Sequence, residues 1–343
     1  MDAGEASGAL RLAGEQRAWL DDLAALGPPA GGVPVPGAGP ARALLSGLGF
    51  RPADAGDVLR NRPERDTAPW LWWLLERAYH QLLAGMGSTQ NPPPWPQLPD
   101  QLGPAGAHLY SWLFLAALPA ARANHARRGV PHDVSRVTLA DFARQAALCR
   151  RLYGHGGLAA PKWLALHFRG GLFELGRLQF QRSLVAARDV RPVPADAAGD
   201  VPVLDLHIPQ AGPLTPDLVD GSLESARVFF PRHFPEERHE FAVCTSWLLD
   251  DQLAEYLPET SNIVAFQRRF RLIPDKEGAY QDEQGVRESD GAVVEFVFRR
   301  PRGLPLADRD LVALPQDTAL QRTIVTHLRQ GRHWRWRSGW FRM

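Results

Sequence analysis

Apolar residues recur at helical spacing through the first half of the chain. Over residues 9–26, for example, Leu12, Trp19 and Leu23 fall on one face of a predicted helix. The same spacing, together with glycines and prolines that end helices, predicts further helices within 41–50, 67–87, 105–127 and 135–154. We therefore expect an all-helical N-terminal domain over about residues 1–165.

The period of the apolar residues changes from about residue 172 onward. The segment LFELGRLQFQRSLV, 172–185, alternates imperfectly and predicts a strand with a bulge at Gly176. Further strands are predicted at about 202–208, 241–249, 292–298 and 333–343. The helices predicted between them are 216–230, 250–257, 261–270 and 317–331, the last capped by Asp317. An acidic, glycine-containing segment lies at 275–290.

Strands that alternate with helices are typical of a sheet with a parallel central section. A chain of 343 residues is long enough for two domains that each bury a core. We therefore predict an α/β (α+β) fold, with the helical domain followed by a mixed-sheet domain at about 170–343.

Composition and charge exclude several classes of protein. Apolar residues make up 45% of the chain and charged residues 22%, which is typical of a folded protein. The net charge of +1 gives no general attraction to nucleic acid or to an anionic membrane. The alternating Trp and Arg of 333–337 favour a half-buried strand over a nucleic-acid site. The most apolar windows, 70–75 and 109–118, are shorter than the roughly 20 residues of a membrane span.

The cysteines, the histidines and the first residues favour a cytoplasmic protein without a resident metal. Cys149 and Cys244 lie far apart and predict neither a disulfide framework nor a zinc site. The eleven histidines show no metal-ligand spacing such as HExxH, so no metal is expected. The sequence MDAGEASGAL lacks the basic and apolar regions of a secretion signal.

One junction has the pattern of an anion-binding site. The predicted strand that ends before Pro209 leads through the loop 210–215 into a helix that opens at Pro216. Backbone N–H groups at a helix start, together with the positive end of the helix dipole, attract phosphate groups. The alternative interpretation is an ordinary loop in which Thr215 is the N-cap residue.

Three segments of the second half resemble a bacterial family of acyltransferase-domain proteins. They are HIPQAGPLTPDLVDGSLESARVFFPRHFP, FAVCTSWLLDDQLAEYLPETSNIVAFQRRF and LPQDTALQRTIVTHLRQGRHW, and HIP, SWLL and SNI are their more specific motifs. The resemblance implies a helical N-terminal domain followed by a GNAT-like C-terminal domain. It also implies acyl-CoA as the co-substrate, with the CoA pyrophosphate held by the loop between a central strand and the next helix.

The CoA-binding residues that the resemblance implies in this loop are Gln210, Ala211, Gly212, Leu214 and Thr215. GNAT enzymes generally carry Gln/Arg-x-x-Gly-x-Gly/Ala there, whereas QAGPLT offers only Gln210 and a displaced Gly212. Pro213 also has no N–H to donate. A literal match, RLYGHG at 151–156, follows a helix, so its glycines are interpreted as a left-handed helix C-cap.

The resemblance also implies where the reacting groups lie. In a GNAT-like sheet the strand 241–249 splays away from the preceding parallel strand and leaves a gap for the thioester and the acceptor. His207 is predicted to remove a proton from an acceptor amine, because the pKa of an imidazole lies near neutrality. Ser246 is predicted to bind the thioester carbonyl or to protonate the departing thiolate. A purely structural histidine is the alternative for His207.

Three further residues complete the candidate site. Cys244 is a candidate nucleophile, with an inert packing role as the alternative. Tyr256 lies in the region where GNAT enzymes often keep a tyrosine acid. Asn262 is a candidate contact for the pantetheine arm, and the alternative is a plain helix start capped by Ser261.

The predicted function is therefore direct transfer of an acyl group from a CoA thioester to a small-molecule amine. The atypical loop favours an alternative, a catalytically silent GNAT-like module that binds a ligand or a protein. A third hypothesis is a thiol-dependent hydrolase that uses Cys244 and His207. Neither nucleic acid nor a membrane is expected as a partner, and the oligomeric state stays open.

Overall fold

The computed structural model describes residues 2–12, 14–90, 95–158, 160–190, 199–273, 283–302 and 306–343. The chain divides into two compact units, Met1–Phe173 and Glu174–Met343. Among the described residues up to Phe168, the regular elements of the first unit are all helical, and the second unit holds a mixed sheet. The predicted fold class, a helical domain followed by a mixed-sheet domain, is confirmed.

The first unit consists of short helices around one central helix. Its helices are α1 (Ala3–Leu10), α2 (Glu15–Leu26), α3 (Ala38–Gly47), α4 (Pro52–Arg60), α5 (Pro69–Ala84), α6 (Gly103–Ala107), α7 (Leu109–Arg127), α8 (His132–Leu139), α9 (Asp141–Tyr153) and α10 (Pro161–Phe168), with a 3-10 turn at Asp100–Leu102. Residues 109–118 of α7 are all buried, which is typical of a helix at the centre of a core.

Aromatic side chains from several helices meet at α7. Phe114 of α7 lies 4.6 Å from Phe168 and 5.7 Å from Phe142, measured between ring centroids. Helix α9 ends at Gly154, whose φ of 77° is left-handed. The interpretation of RLYGHG as a helix C-cap is therefore confirmed.

The sheet has the strand order β1-β2-β3-β4-β6-β5. Its strands are β1 (Leu172–Leu175), β2 (Leu178–Ala186), β3 (Asp200–His207), β4 (Phe241–Ser246), β5 (Arg271–Leu272) and β6 (Arg337–Arg342). Strands β3 and β4 are parallel, whereas β2 pairs with β3, and β6 with both β4 and β5, in antiparallel fashion. The predicted parallel central section is thus the β3–β4 pair.

Helices pack on this sheet and extend beyond it. They are α11 (Ala187–Val190), α12 (Pro216–His233), α13 (Asn262–Gln267), α14 (Glu283–Phe298), α15 (Asp308–Val312) and α16 (Ala319–Arg329), with 3-10 turns at Trp247–Leu249 and Asp251–Glu255. Phe230 of α12 contacts Phe180 of β2, at 6.2 Å between ring centroids. Val203 and Phe241 belong to a separate apolar cluster with Val190 of α11.

The strand predicted at 292–298 is wrong, because these residues form the second half of helix α14. Val293 is buried, and Phe296 and Val297 pack into the same cluster as Ile324 of α16. A short apolar run rich in β-branched residues fits either a strand or a buried helix, and packing decides between them. Of the acidic segment 275–290, residues 275–282 lie outside the described residues, and 283–290 begin this helix.

Three smaller predictions also need correction. Gly176 does not form a bulge but, with Arg177, the turn between β1 and β2, and its φ of 75° is left-handed. Helix α16 is capped by Thr318 rather than Asp317, because the Thr318 hydroxyl accepts from the Gln321 N–H at 3.1 Å. Strand β4 ends at Ser246, and the predicted helix 250–257 is a 3-10 turn.

Candidate active site

The two parallel strands part at one end of their ladder. The last register pair joins Asp205 of β3 to Val243 of β4, yet β3 continues to His207 and β4 to Ser246. Both strands therefore continue beyond the last residues that pair with each other. This end of the ladder is where the resemblance predicts a gap for the thioester and the acceptor.

His207 lies at this opening with two polar neighbours. Its Nε2 atom is 2.9 Å from Oε1 of Gln181 and 4.0 Å from Oδ2 of Asp205. Gln181 is buried in β2, directly across from Asp205 in the β2–β3 register. The His207 and Asp205 side chains each keep 26% of their surface exposed.

The environment of Asp205 changes its proton affinity. Burial of its carboxyl group raises the pKa of Asp205 to about 7. The Asp205 carboxyl therefore exchanges its proton in the same pH range as an ordinary histidine. A carboxyl group that titrates near neutrality beside an imidazole is suited to moving a proton.

Cys244 lies close enough to Asp205 for the negative charge of the carboxylate to change the pKa of its thiol. Burial, and then the negative charge of Asp205, raises the pKa of the Cys244 thiol well above its ordinary value. The side chain is 1% exposed. A thiol in this state is protonated at neutral pH, which favours the packing role over the nucleophilic one. The nucleophilic role of Cys244 stays a prediction.

The register decides which β4 side chains share a face with His207. Residues paired across strands point to the same side of a sheet, so Thr245, two residues after Val243, shares the face of Asp205. Cys244 and Ser246 point to the other face. The Ser246 hydroxyl accepts from the Leu248 N–H at 3.1 Å and caps the following 3-10 turn. Its proposed contact with the thioester stays a prediction.

Thr245 is a residue that the sequence analysis missed. Its side chain is exposed, and its hydroxyl lies 2.8 Å from the hydroxyl of Ser338 on β6. No local motif marks a threonine in the middle of an apolar strand. Only the register with β3 shows that this hydroxyl faces the same side as His207.

The loop before α12 is open to solvent. Gln210, Ala211, Gly212 and Pro213 are exposed, whereas Leu214 is buried. Gly212 has a φ of 70°, and a Cβ atom there would meet nothing within 4 Å. The loop therefore has room for a ligand above its backbone. Thr215 is the N-cap residue by backbone conformation, although its side chain makes no cap hydrogen bond.

Two arginines contact this loop, and the sequence analysis identified neither. Nε and Nη2 of Arg177 donate to the carbonyl oxygens of Pro213 and Gly212, at 2.9 and 3.2 Å. Nη2 of Arg299 is 3.5 Å from the carbonyl oxygen of Gln210. Both positive charges lie beside the predicted pyrophosphate site. Because these residues come from the β1–β2 turn and the end of α14, sequence neighbourhood gives no sign of them.

Tyr256 and Asn262 lie in other surroundings. The Tyr256 hydroxyl bonds to Gln330, to Arg332 and to Nδ1 of His327, each at 3.0 Å. These described bonds lead to α16 and the segment that follows it, not to the His207 cluster. Asn262 is the first residue of α13, and Ser261 caps that helix by accepting from the Val264 N–H at 3.1 Å. The Ser261 cap is confirmed, and roles for Tyr256 and Asn262 in the site stay predictions.

The described residues contain neither a metal-binding cluster nor a membrane-spanning helix. Within the described parts of the chain, no group of three or more His, Cys, Asp or Glu residues is arranged to hold a metal ion. Among the helices described above, none combines the length and the apolar character that crossing a bilayer requires.

Comparison with known proteins defines the class of this molecule. Residues 40–170 match the N-acyltransferase N-terminal domain, and residues 172–341 match the GNAT-like C-terminal domain. The search of curated proteins finds no match.

Solved structures match over the whole chain. An acyltransferase mutant in complex with octanoyl-CoA is 39% identical, with a TM-score of 0.88 and 100% of both chains covered. An acyltransferase in complex with decanoyl-CoA and teicoplanin is 40% identical, with a TM-score of 0.87, and the match covers 100% of this chain and 99% of that one. A complex with decanoyl-CoA is 41% identical, with a TM-score of 0.87 over 100% of both chains.

These matches place the chain among the acyltransferases with a GNAT-like domain. It belongs to the family that joins an N-acyltransferase N-terminal domain to a GNAT-like C-terminal domain. The predicted family resemblance is therefore confirmed.

Proposed function

We propose that this protein is an N-acyltransferase that moves an acyl group from acyl-CoA to the amine of a small molecule. The observation that carries the proposal is the opening between β3 and β4, with His207 at its edge and an exposed loop leading into α12. The mixed-sheet domain, about 170–343, would carry the chemistry, and residues of about 1–165 would form the helical domain. Acyl-CoA is an intracellular metabolite, which supports the predicted cytoplasmic location.

The loop 210–215 fits the pyrophosphate of CoA in three respects. It is exposed, it lies at the start of the 18-residue helix α12, and Arg177 and Arg299 stand beside it. Helix starts and arginine side chains both stabilise phosphate groups. Asp217 in the first turn acts in the opposite sense, so the arginines are expected to supply much of the attraction.

The solved relatives support a substrate class for each side of the reaction. They were crystallised with octanoyl-CoA, with decanoyl-CoA and with teicoplanin. We propose that this chain likewise accepts acyl chains of medium length and an amine acceptor of the teicoplanin kind. The solved structures match this chain over the full length of both chains, which supports the proposal that they share a substrate class.

The proposed reaction balances without a covalent enzyme intermediate. The acceptor nitrogen attacks the thioester carbon and forms the amide bond, the carbon–sulfur bond breaks, and CoA leaves as a thiolate. His207 takes the proton that the nitrogen loses. A proton from a hydroxyl or from water then converts the thiolate to the thiol. Ser246, Thr245 and Tyr256 are the candidate hydroxyls.

The test measures binding and turnover separately. Calorimetry with decanoyl-CoA, and mass spectrometry of teicoplanin after incubation with decanoyl-CoA, are run on the wild type and on His207→Ala. We expect His207→Ala to bind decanoyl-CoA as the wild type does and to lose roughly 10²- to 10⁴-fold in kcat. His132→Ala, which changes an exposed histidine at the start of α8, is the control and should keep full activity.

One alternative has an observation in its favour. The loop lacks the usual glycine pattern and contains Pro213, which removes an N–H donor. A catalytically silent module of the same fold would bind acyl-CoA but acylate no amine. Binding without turnover by the wild type, over a panel of amines, would therefore support the silent module. No binding at millimolar acyl-CoA would reject both.

A further inference from the structure

The His207 ring has one hydrogen-bond partner and one carboxyl neighbour at the same nitrogen. The side-chain oxygen of Gln181 is 2.9 Å from Nε2, and a carboxyl oxygen of Asp205 is 4.0 Å from the same nitrogen. An acceptor at hydrogen-bond distance favours a proton on that ring nitrogen, and a neighbouring negative charge favours it further. In neutral imidazole only one nitrogen carries a proton, so the lone pair is then on Nδ1.

We propose that Gln181 is a positioning residue that fixes His207 in the Nε2–H form. Nδ1 is then the nitrogen that accepts the substrate proton, a role that rests on the proposed acyl transfer. This role requires no contact between Gln181 and substrate or CoA. It acts through the imidazole, by orienting the ring and by selecting its tautomer. In its ionised form, Asp205 supports the same tautomer.

The fold holds Gln181 in place. The residue is 6% exposed and lies in the middle of β2, so backbone pairing on β3 fixes its position opposite Asp205. Because the amide is neutral, it accepts a hydrogen bond without the desolvation cost of a second buried carboxylate. The neutral partner therefore orients the ring and leaves the Asp205 carboxyl as the nearby acid.

The described titratable groups linked to this cluster are Asp205, Cys244 and Glu174. Asp205 is on the same strand, Cys244 is on β4 and is coupled to Asp205, and Glu174 accepts a hydrogen bond from Gln179 at 2.9 Å. Gln179 is the residue directly across from His207 in the register, yet its described amide hydrogen bond goes to Glu174. The chain thus contains two buried glutamines on one face, and Gln181 is the one bonded to the imidazole.

This arrangement gives a complete proton path for the first step. The acceptor amine loses a proton to Nδ1 as its nitrogen bonds to the thioester carbon. The imidazolium that forms has N–H groups on both nitrogens, and the Nε2–H stays on Gln181 beside Asp205. The positive charge of the ring favours the ionised form of Asp205, and the ring returns to the Nε2–H form when Nδ1 passes its proton to water.

The experiment reads the tautomer directly, without substrate. Protein labelled with ¹⁵N-histidine is studied by long-range ¹H–¹⁵N NMR, and His207→Ala assigns the signals. We expect the wild-type ring to be protonated at Nε2, and Gln181→Leu to show a mixture of tautomers or the Nδ1–H form. The matched control Gln179→Leu, an equally buried glutamine on the same strand, should leave the His207 signals unchanged.

A conservative variant and kinetics complete the test. Gln181→Glu keeps an acceptor at Nε2 and adds a charge, so it should restore the Nε2–H form and move the acidic limb of the kcat profile to higher pH. In Gln181→Leu, kcat should fall roughly 10- to 100-fold at unchanged KM. Gln181→Glu also keeps the test decisive if Gln181→Leu fails to fold.

The outcomes separate this inference from the proposed function. An Nδ1–H tautomer in the wild type would overturn the inference, whether or not the protein turns over. So would equal tautomer shifts in Gln181→Leu and Gln179→Leu. An Nε2–H tautomer that depends on Gln181, in a protein that acylates no amine, would leave the inference standing and reject the proposed function.

Discussion

Two carboxyl side chains of the mixed-sheet unit show opposing electrostatic effects. Burial raises the pKa of Asp205, whereas the pKa of Glu237, in the same unit, is lowered to about 2. Glu237 is also partly buried, but its carboxylate bonds to the guanidinium of Arg182 and lies 3.1 Å from Nε2 of His239. The stabilisation of the charged form by its partners therefore outweighs desolvation at Glu237, and desolvation wins at Asp205.

Asp205 predicts a dependence of stability on pH. The folded protein keeps the Asp205 proton up to about pH 7, whereas the unfolded chain loses it near pH 4. The free energy of unfolding therefore loses this contribution as the pH rises from about 4 to 7. Asp205→Asn has no carboxyl group to ionise, so it lacks this loss. Between pH 4 and pH 7 its free energy of unfolding should therefore rise relative to that of the wild type by a few kcal/mol, at about 1.4 kcal/mol per pKa unit.

The measurement is urea unfolding of the wild type and Asp205→Asn at several values between pH 4 and pH 8. Asp200→Asn, an exposed change at the start of the same strand, is the control and should show a constant difference from the wild type. A constant difference for Asp205→Asn as well would show that the carboxyl is not destabilised by burial.

At the residue scale, the sequence marks His207 as a candidate but does not reveal its partners. His207 is predicted from its place on the strand that borders the expected gap and from the ordinary pKa of an imidazole. Gln181, Asp205 and Thr245 were not proposed as site residues, because strand pairing brings them near His207 and pairing registers cannot be seen in a single sequence. Arg177 was missed for the same reason, since a turn between other strands places it on the loop.

Among the elements, the β3–loop–α12 junction is the one on which CoA binding depends. Strand β3 ends at His207, and α12 begins at Pro216 with its ring in the first turn, where a proline fits. Arg177 bonds to two carbonyl oxygens of the loop. The loop is thereby held from one side while its exposed face stays open.

Gly212 should be sensitive to substitution because of its backbone conformation. Gly212→Ala has space for the new Cβ, but a φ of 70° is left-handed and costs a non-glycine residue roughly 1–2 kcal/mol. We expect a loss of stability of about that size and weaker binding of CoA, measured by urea unfolding and calorimetry. Gly221→Ala, on the exposed side of α12, has no left-handed φ and should be neutral or stabilising by up to about 1 kcal/mol. Equal effects of the two substitutions would contradict this account.

The helices and strands could be predicted wherever N-cap residues, prolines or glycines mark their ends. Helix α12 was expected at 216–230 and is found at Pro216–His233, because Thr215 and Pro216 mark its start. Strand β3 was expected at 202–208 and is found at Asp200–His207. Helix α14 could not be identified, since the apolar run 292–298 fits both periods and its packing partner on α16 lies about 30 residues further on.

At the scale of the whole molecule, ligand binding should appear as global stabilisation. A ligand that binds only the folded state raises the free energy of unfolding by about 2.7 kcal/mol at a concentration of 100 times Kd. Decanoyl-CoA should therefore raise the melting temperature, and CoA should raise it less at equal concentration, because the acyl chain adds apolar contact. Differential scanning fluorimetry with both ligands, and with ATP as a phosphate-bearing control, measures this difference. Equal shifts with CoA and decanoyl-CoA would argue against apolar contacts between the protein and the acyl chain.

The two cysteines of the chain, Cys149 and Cys244, are 3% and 1% exposed. Burial raises the pKa of Cys149 to about 11, and that of Cys244 well above its ordinary value. Native protein should therefore react slowly with aromatic disulfide reagents that detect thiols. Acyl transfer liberates one CoA thiol per turnover, so such a reagent can follow the reaction continuously by its colour, with little background from the enzyme itself.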